Sequence, residues 1–256
     1  ELRIELPVDA TVPEDYIPHE RLRLEAYTKF AAARSGEQVD EVIRPISSSA
    51  LNDLLYKRWV KQRAEEVERV SKGTLGYVHI PSMGDPSFRT VYSDVMGKYY
   101  QKKGIVIDIR YNGGGRLHED IEAFFTGKHY ADQVVRDRQY SEMSSRRWNR
   151  PSVLVTCEAD YSNAHGTPWV YQHLKVGKVV GMPVAGTMTS VNWVTLLDPS
   201  VYFGIPAVGF RLFDGRYLEN TQMEPDVVVP LDPTKVLQGV DTQIEKAVEV
   251  LRAETK

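Results

Sequence analysis

The chain has 256 residues, enough for one large domain or two modest ones. Apolar residues make up 42% and charged residues 26%, and 32 Lys+Arg against 35 Asp+Glu leave a net charge of −3. That balance argues against broad capture of nucleic acid or anionic membrane, no apolar run approaches the ~18 residues of a membrane span, and a lone Cys157 excludes a disulfide framework or a cysteine-cluster metal site within the chain.

The first residues alternate as a strand would, with Leu2, Ile4 and Leu6 on one face and Arg3 and Glu5 on the other. They lack the apolar core of a leader peptide, so the expected compartment is the cytoplasm. Residues 19–33 predict a helix, with Leu22, Ala26, Phe30 and Ala33 on one stripe and Ser35-Gly36 as its stop. A short polar helix is expected over 37–42, then Pro45 and a serine linker. Residues 51–70 predict a second helix carrying Leu55, Trp59 and Val67. Its mixed charges are expected on a solvated face.

From Thr74 strands and helices alternate. Strands are expected over 75–80, 104–110, 152–157 and 178–182, and helices over 86–101, 117–125 and 164–175. The near-continuous apolar runs at 104–110 and 152–157 imply burial on both faces. Short strands and turns follow from 195 to 230, including a turn at Asp214-Gly215-Arg216. A final helix is expected over 241–252, with Val240, Ile244, Val248 and Leu251 on its buried stripe. Repeated strand–helix units predict an α/β fold with a largely parallel sheet, preceded by a short strand-plus-helix segment. The basic run Arg146-Arg147-Trp148-Asn149-Arg150 is expected on a loop.

Three stretches could carry chemistry. Asp108-Ile109-Arg110-Tyr111-Asn112-Gly113-Gly114-Gly115 leaves a buried strand and enters a helix. A glycine run there can turn backbone N–H groups toward an oxyanion. It can equally be a tight turn, and it lacks the residues of a phosphate loop. Glu158-Ala159-Asp160-Tyr161-Ser162-Asn163-Ala164-His165-Gly166 also joins a buried strand to a helix. Ser162 at that corner could present its hydroxyl to a crevice, or simply cap the helix. Asp214 to Asn220 is a turn with polar decoration. Among the histidines, His165 is nearest to Ser162 in sequence, His118 opens the helix after the glycines, and His79 in mid-strand suits a structural role. His19, His129 and His173 look superficial. No spacing supports a metal, and no cofactor is expected.

Residues 43–256 resemble the catalytic core of tricorn-type serine peptidases, a branch of the C-terminal-processing peptidases. The resemblance is carried by Gly73-Thr74-Leu75-Gly76-Tyr77-Val78-His79-Ile80-Pro81, by Ile107 through Gly115, by Tyr161-Ser162-Asn163-Ala164-His165, by Gly177 through Thr187, and by Gly215-Arg216-Tyr217-Leu218-Glu219-Asn220. It implies a crotonase/ClpP-like core and peptide-bond hydrolysis of a peptide or unfolded polypeptide. It implies Ser162 as nucleophile, the N–H groups of Gly114 and Asn163 as the oxyanion hole, Gly113 and Gly115 as shapers of that loop, and Glu219 in the network that orients the base. Asn163 stands where Asp is common. Thr187 follows Gly186, so a Ser–Lys dyad is not expected. The base implied is a histidine in an upstream Ser-His motif, and no Ser-His pair occurs in these 256 residues. His118 and His165 are the candidate substitutes. The expectation is a core with little or no turnover, and homo-oligomerisation is compatible with the resemblance.

Residues 1–42 resemble a fragment of the C-terminal domain of transcription-repair coupling factors. The matching runs are Glu1 to Ala10, Pro13 to Pro18 and Arg21 to Tyr27. Two unrelated resemblances joined near 42–49 suggest a chimera, engineered or rearranged. As an alternative to catalysis, such a chain could act as a non-catalytic scaffold or interaction domain.

Overall fold

Strand residues alternate between the two faces of a sheet, and here both faces are apolar. In the computed structural model, which describes residues 46–255, β1 (Leu75–His79), β2 (Gly104–Asp108), β5 (Ser152–Thr156) and β6 (Lys178–Gly181) are parallel neighbours, and the short β9 (Val227–Val228) closes the edge. Ile105 and Ile107 of β2 face one core cluster, and Val106 between them faces the other.

The spatial order β1-β2-β5-β6-β9 follows the chain order. With right-handed crossovers, such an order puts every crossover helix on one face. That face packs against α2 (Asp85–Ser93, continued by a π-helical turn Asp94–Lys98), α3 (His118–Thr126) and α4 (Asn163–His173), through Val91, Val95, Ile121, Phe124, Ala164 and Tyr171. The opposite face is covered by Ile244, Ala247, Val248 and Leu251 of α6 (Thr242–Glu254) and by Val67 of α1 (Ser48–Ser71). Each Val, Ile or Leu so buried is worth roughly 1.5–3 kcal/mol. Helix α5 (Pro233–Leu237) precedes α6.

The chain divides into Glu1–Lys57 and Arg58–Lys256, and the sheet belongs to the second unit. Of the first, residues 46–57 are described, and they include the opening turns of α1. The strand expected at 2–6 and the helices expected at 19–33 and 37–42, with His19, lie outside the described residues.

Several expectations need correction. Helix α2 ends at Ser93 and passes into the π-helical turn instead of running to 101. An antiparallel pair, β3 (Ala131–Val135) and β4 (Arg138–Met143), occupies a stretch for which no element was expected. A second pair, β7 (Ser190–Thr195) and β8 (Tyr202–Val208), leaves Trp193, Leu197 and Tyr202 exposed. The charges of α1 are not all solvated, because Arg63 and Glu66 are buried. Trp148, in the basic loop, is buried with the Arg150 guanidinium 4.0 Å over its ring.

Arg63 and Glu66 are buried because they join a charge cluster. Its centre is Arg110, 1% exposed. Arg110 Nη2 lies 2.7 Å from Asp108 Oδ2, and Nη1 lies 2.9 Å from both Asp241 Oδ2 and Gln243 Oε1. Asp241 Oδ1 caps α6 by accepting from the N–H groups of Gln243 and Ile244. The Asp241 N–H donates to Glu66 Oε1 at 2.8 Å, and Arg63 Nε is 3.6 Å from Asp241 Oδ2. Burial pushes the Asp108 carboxyl up, but the Arg110 guanidinium outweighs it and holds the group below the usual range. A depressed carboxylate stabilises the fold above its unfolded pKa of about 4, and the effect is lost as pH falls through the folded value.

Arg110→Met should therefore cost about 3–5 kcal/mol at pH 7, since Asp108 and Asp241 lose their shared cation. Denaturant midpoints should show the gap to wild type narrowing below about pH 4, where carboxylates can protonate.

Candidate active site

Loops leaving the carboxyl ends of adjacent parallel strands are natural neighbours. The β2 exit carries the glycines, and the β5 exit carries Ser162. The two loops meet at Gly114. A Cβ built on Gly114 would stand 2.6 Å from Ser162 Cβ, 2.8 Å from the Tyr161 carbonyl oxygen and 3.1 Å from the Asn163 nitrogen. Gly114 also has φ +96°, a conformation that side chains resist. Gly115, at φ +139°, lies against the Met83 backbone, while Gly113 faces open space.

Ser162 occupies the N-cap position of α4, with φ 57° and ψ −118°. A serine rarely holds such a backbone. The capping alternative is not realised, because the Ser162 side chain makes no capping hydrogen bond. Its N–H donates to Thr187 Oγ1 at 3.0 Å. The next amide, Asn163 N–H, has no hydrogen-bond partner among the described residues, as is usual for the first turn of a helix. It points to the end where the helix dipole favours negative charge.

The second expected oxyanion donor is differently engaged. Gly114 N–H donates to Asn112 Oδ1 at 2.8 Å, so it would have to leave that acceptor to meet an oxyanion. Asn112 is fully buried. Its Nδ2 donates to the Ile80 carbonyl at 2.8 Å, and its own carbonyl accepts the Tyr161 N–H at 2.9 Å.

Neither candidate histidine is hydrogen-bonded to Ser162. Asn163 Oδ1 accepts from the N–H groups of Leu117 and His118, which caps α3 and leaves Asn163 Nδ2 as a donor. That donor meets His118 Nδ1 at 2.7 Å. A neutral His118 therefore keeps its proton on Nε2 and cannot accept one there. His165 is fully buried, with Nε2 2.9 Å from the Thr221 carbonyl. A carbonyl only accepts, so Nε2 carries the hydrogen and the Nδ1 lone pair is buried without a partner. Burial holds the His165 imidazole below its ordinary pKa. Glu219 Oε2 accepts the Thr189 N–H at 2.6 Å.

Cys157 follows β5 and is buried, its thiol pushed up to about 12 by burial and by Asp160. His79 is buried, with Nε2 3.1 Å from the Arg110 carbonyl, and Trp59 meets its ring edge-on. His129 pairs with Asp132 on the surface, and His173 stacks on Trp169. No group of three metal-ligating side chains occurs among the described residues, nor a helix long and apolar enough to cross a membrane. The roles of Asn112 and Thr187 as braces of the two loops were not assigned from sequence. An Asn beside three glycines was the available signal.

Comparison with known proteins finds two separate likenesses along the chain. A family model described as Peptidase family S41 matches residues 74–229, and one described as TRCF domain matches residues 6–48. The Tricorn protease homolog of Saccharolobus solfataricus is 28% identical over 202 residues, covering 77% of this chain and 18% of that protein. The Tricorn protease of Thermoplasma acidophilum is 27% identical over 203 residues, covering 78% and 19%. The chain thus spans about a fifth of the length of these curated relatives. The crystal structure of the tricorn protease superposes with a TM-score of 0.69 at 27% identity, over 78% of this chain and 20% of that one. The Transcription-repair-coupling factor of Mycobacterium tuberculosis is 54% identical over 43 residues, 17% of this chain and 4% of that protein.

The glycine contacts make a paired prediction. Gly114→Ala should lower stability by about 2–3 kcal/mol, through backbone strain and the clash with Ser162. Gly113→Ala should stay within about 0.5 kcal/mol of wild type. Equilibrium denaturation of both variants checks the contrast.

Proposed function

The chain belongs to peptidase family S41, and on that footing we propose that its core cleaves peptide bonds through an acyl-enzyme formed on Ser162. The observation that carries the reading is the backbone of Ser162. A non-glycine residue sits at φ 57° on a helix N-terminus, makes no cap, and abuts a glycine loop and an unpaired amide. Strain of this kind persists where surrounding structure enforces it, and it clusters at functional sites.

In the proposed reaction Ser162 Oγ attacks the carbonyl carbon and a base takes its proton. The oxyanion is held by Asn163 N–H and by Gly114 N–H once that amide leaves Asn112. The amine departs, and water releases the acyl group. Gly113 and Gly115 shape the loop. Glu219 contributes its negative field near His165.

The base is the weak point. Neither imidazole is hydrogen-bonded to Ser162: His118 Nδ1 is taken by Asn163, and the unpartnered Nδ1 of His165 is buried. Loss of one member of a catalytic triad costs roughly 10⁴–10⁶ in rate. We therefore propose that the chain turns peptides over slowly. The same observation favours the second reading, a folded scaffold without catalysis. We further propose that residues 1–42 and 43–256 are separate parts of a chimera, since two unrelated family models divide the chain.

Intact-mass labelling with a serine-directed fluorophosphonate separates the readings. The catalytic reading expects slow labelling of the full chain, abolished in Ser162→Ala and unchanged in His118→Ala and His165→Ala. A folded chain that takes no label turns the conclusion to the scaffold.

A further inference from the structure

The glycine loop and the Ser162 loop leave different strands, so their register needs a brace. One buried side chain reaches both. Asp160 is 2% exposed. Its Oδ2 accepts the N–H of Cys157, at the exit of β5, at 3.0 Å. Its Oδ1 accepts the N–H of Asn112, in the glycine loop, at 3.3 Å, shared with the Ile109 carbonyl at 3.1 Å. The Asp160 N–H returns to the Cys157 carbonyl at 3.1 Å and closes the turn.

Asn112 relays this contact. Its Oδ1 holds Gly114 N–H, and its carbonyl holds Tyr161 N–H. Two hydrogen bonds thus connect the Asp160 carboxyl to Gly114, which touches Ser162, and to Tyr161, which precedes it. We propose that Asp160 is a positioning residue, a clamp that fixes the glycine loop on the Ser162 loop and sets where Gly114 and Ser162 meet. Its bearing on catalysis rests on the reading of Ser162 as nucleophile, while the clamp itself is independent of it.

The clamp depends on charge. Burial pushes the Asp160 carboxyl up to about 7, against the pull of the two N–H donors. The groups facing it are the Cys157 thiol, 3.5 Å away and neutral, and Asp108 on β2, whose charge is met by Arg110. A carboxylate accepts N–H bonds more strongly than a carboxylic acid. Yet burial outweighs the two N–H bonds, so ionisation favours any opening that returns the carboxyl to water, and the clamp loosens as pH rises through about 7. Global stability moves the same way. With a folded pKa above the unfolded value of about 4, the contribution is full below about 4 and lost as pH rises through about 7.

Amide hydrogen exchange on the full chain tests the clamp without needing catalysis. Between pH 6 and pH 8, protection at the Cys157, Asn112 and Tyr161 amides, corrected for intrinsic rates, should fall roughly tenfold, and Val106 in β2, which opens with the whole fold, should fall with global stability. In Asp160→Asn the fall should vanish, and in Asp160→Glu it should return. Equal protection in wild type and Asp160→Asn, or no fall in wild type, overturns the clamp. The wild-type profile decides even if Asp160→Asn does not fold. Fluorophosphonate labelling run in parallel should slow about tenfold in Asp160→Asn, and undiminished labelling also overturns the positioning role. A wild-type chain that shows the exchange profile yet never labels upholds the clamp and removes the nucleophile reading instead.

Discussion

A guanidinium buried at the end of β2 is the constraint on which the remaining geometry depends. Arg110 is the last residue before the loop that carries Asn112 and the glycines. Its Nε, Nη1 and Nη2 all donate, to Asp108 at the end of β2 and to Asp241 and Gln243 at the start of α6. Trp59 on α1 lies with its ring 5.4 Å from the Arg110 carbon, and Arg63 and Glu66 complete the cluster. Desolvating so many charges is costly, and a well-packed apolar replacement of the whole cluster could match its stability. What the charges add is direction. Arg110 cannot rotate or slide without orphaning carboxylates, so the loop after it starts from a fixed point.

That fixed point matters because the sheet order is sequential. The strands are parallel, so the loops after β1, β2, β5 and β6 all leave at one edge, and the sequential order keeps neighbours in the chain side by side. Met83 after β1 pairs with Gly115, and Thr187 after β6 receives the Ser162 amide. Four strands therefore contribute to one small region, and their approach is close enough that only hydrogen fits at Gly114. The rigidity of this edge comes from backbone packed on backbone, with Asn112 as the polar pin.

The buried strands were legible because their chemistry is local. Residues 104–108 and 152–156 are apolar throughout, and a fully buried parallel strand needs nothing more. The β3–β4 pair was not legible, since its exposed strands carry Asp132, Gln133, Arg138 and Gln139 and show no apolar face. The burial of Arg63 and Glu66 was equally hidden, because their partner Asp241 lies far along the chain. In the site, the corner position of Ser162 followed from the strand–loop–helix pattern, and its pairing with the glycine loop was implied by the resemblance. The proton positions on His118 and His165 did not. They are fixed by Asn163 and by the Thr221 carbonyl, neither of which a local motif reveals. The engagement of Gly114 N–H by Asn112 is likewise a matter of rotamer, on which composition is silent.

The burial of Cys157 has a practical side. With its thiol near 12, only about one molecule in 10⁵ carries a thiolate there at pH 7. Maleimides and haloacetamides should pass it by under ordinary conditions. Since the chain holds no second cysteine, a cysteine introduced on the surface, for instance at Tyr140 of β4, would be the single reactive thiol without any need to remove the native one. Dyes, spin labels or cross-linkers could then be attached at chosen points, and distances across the molecule followed in solution.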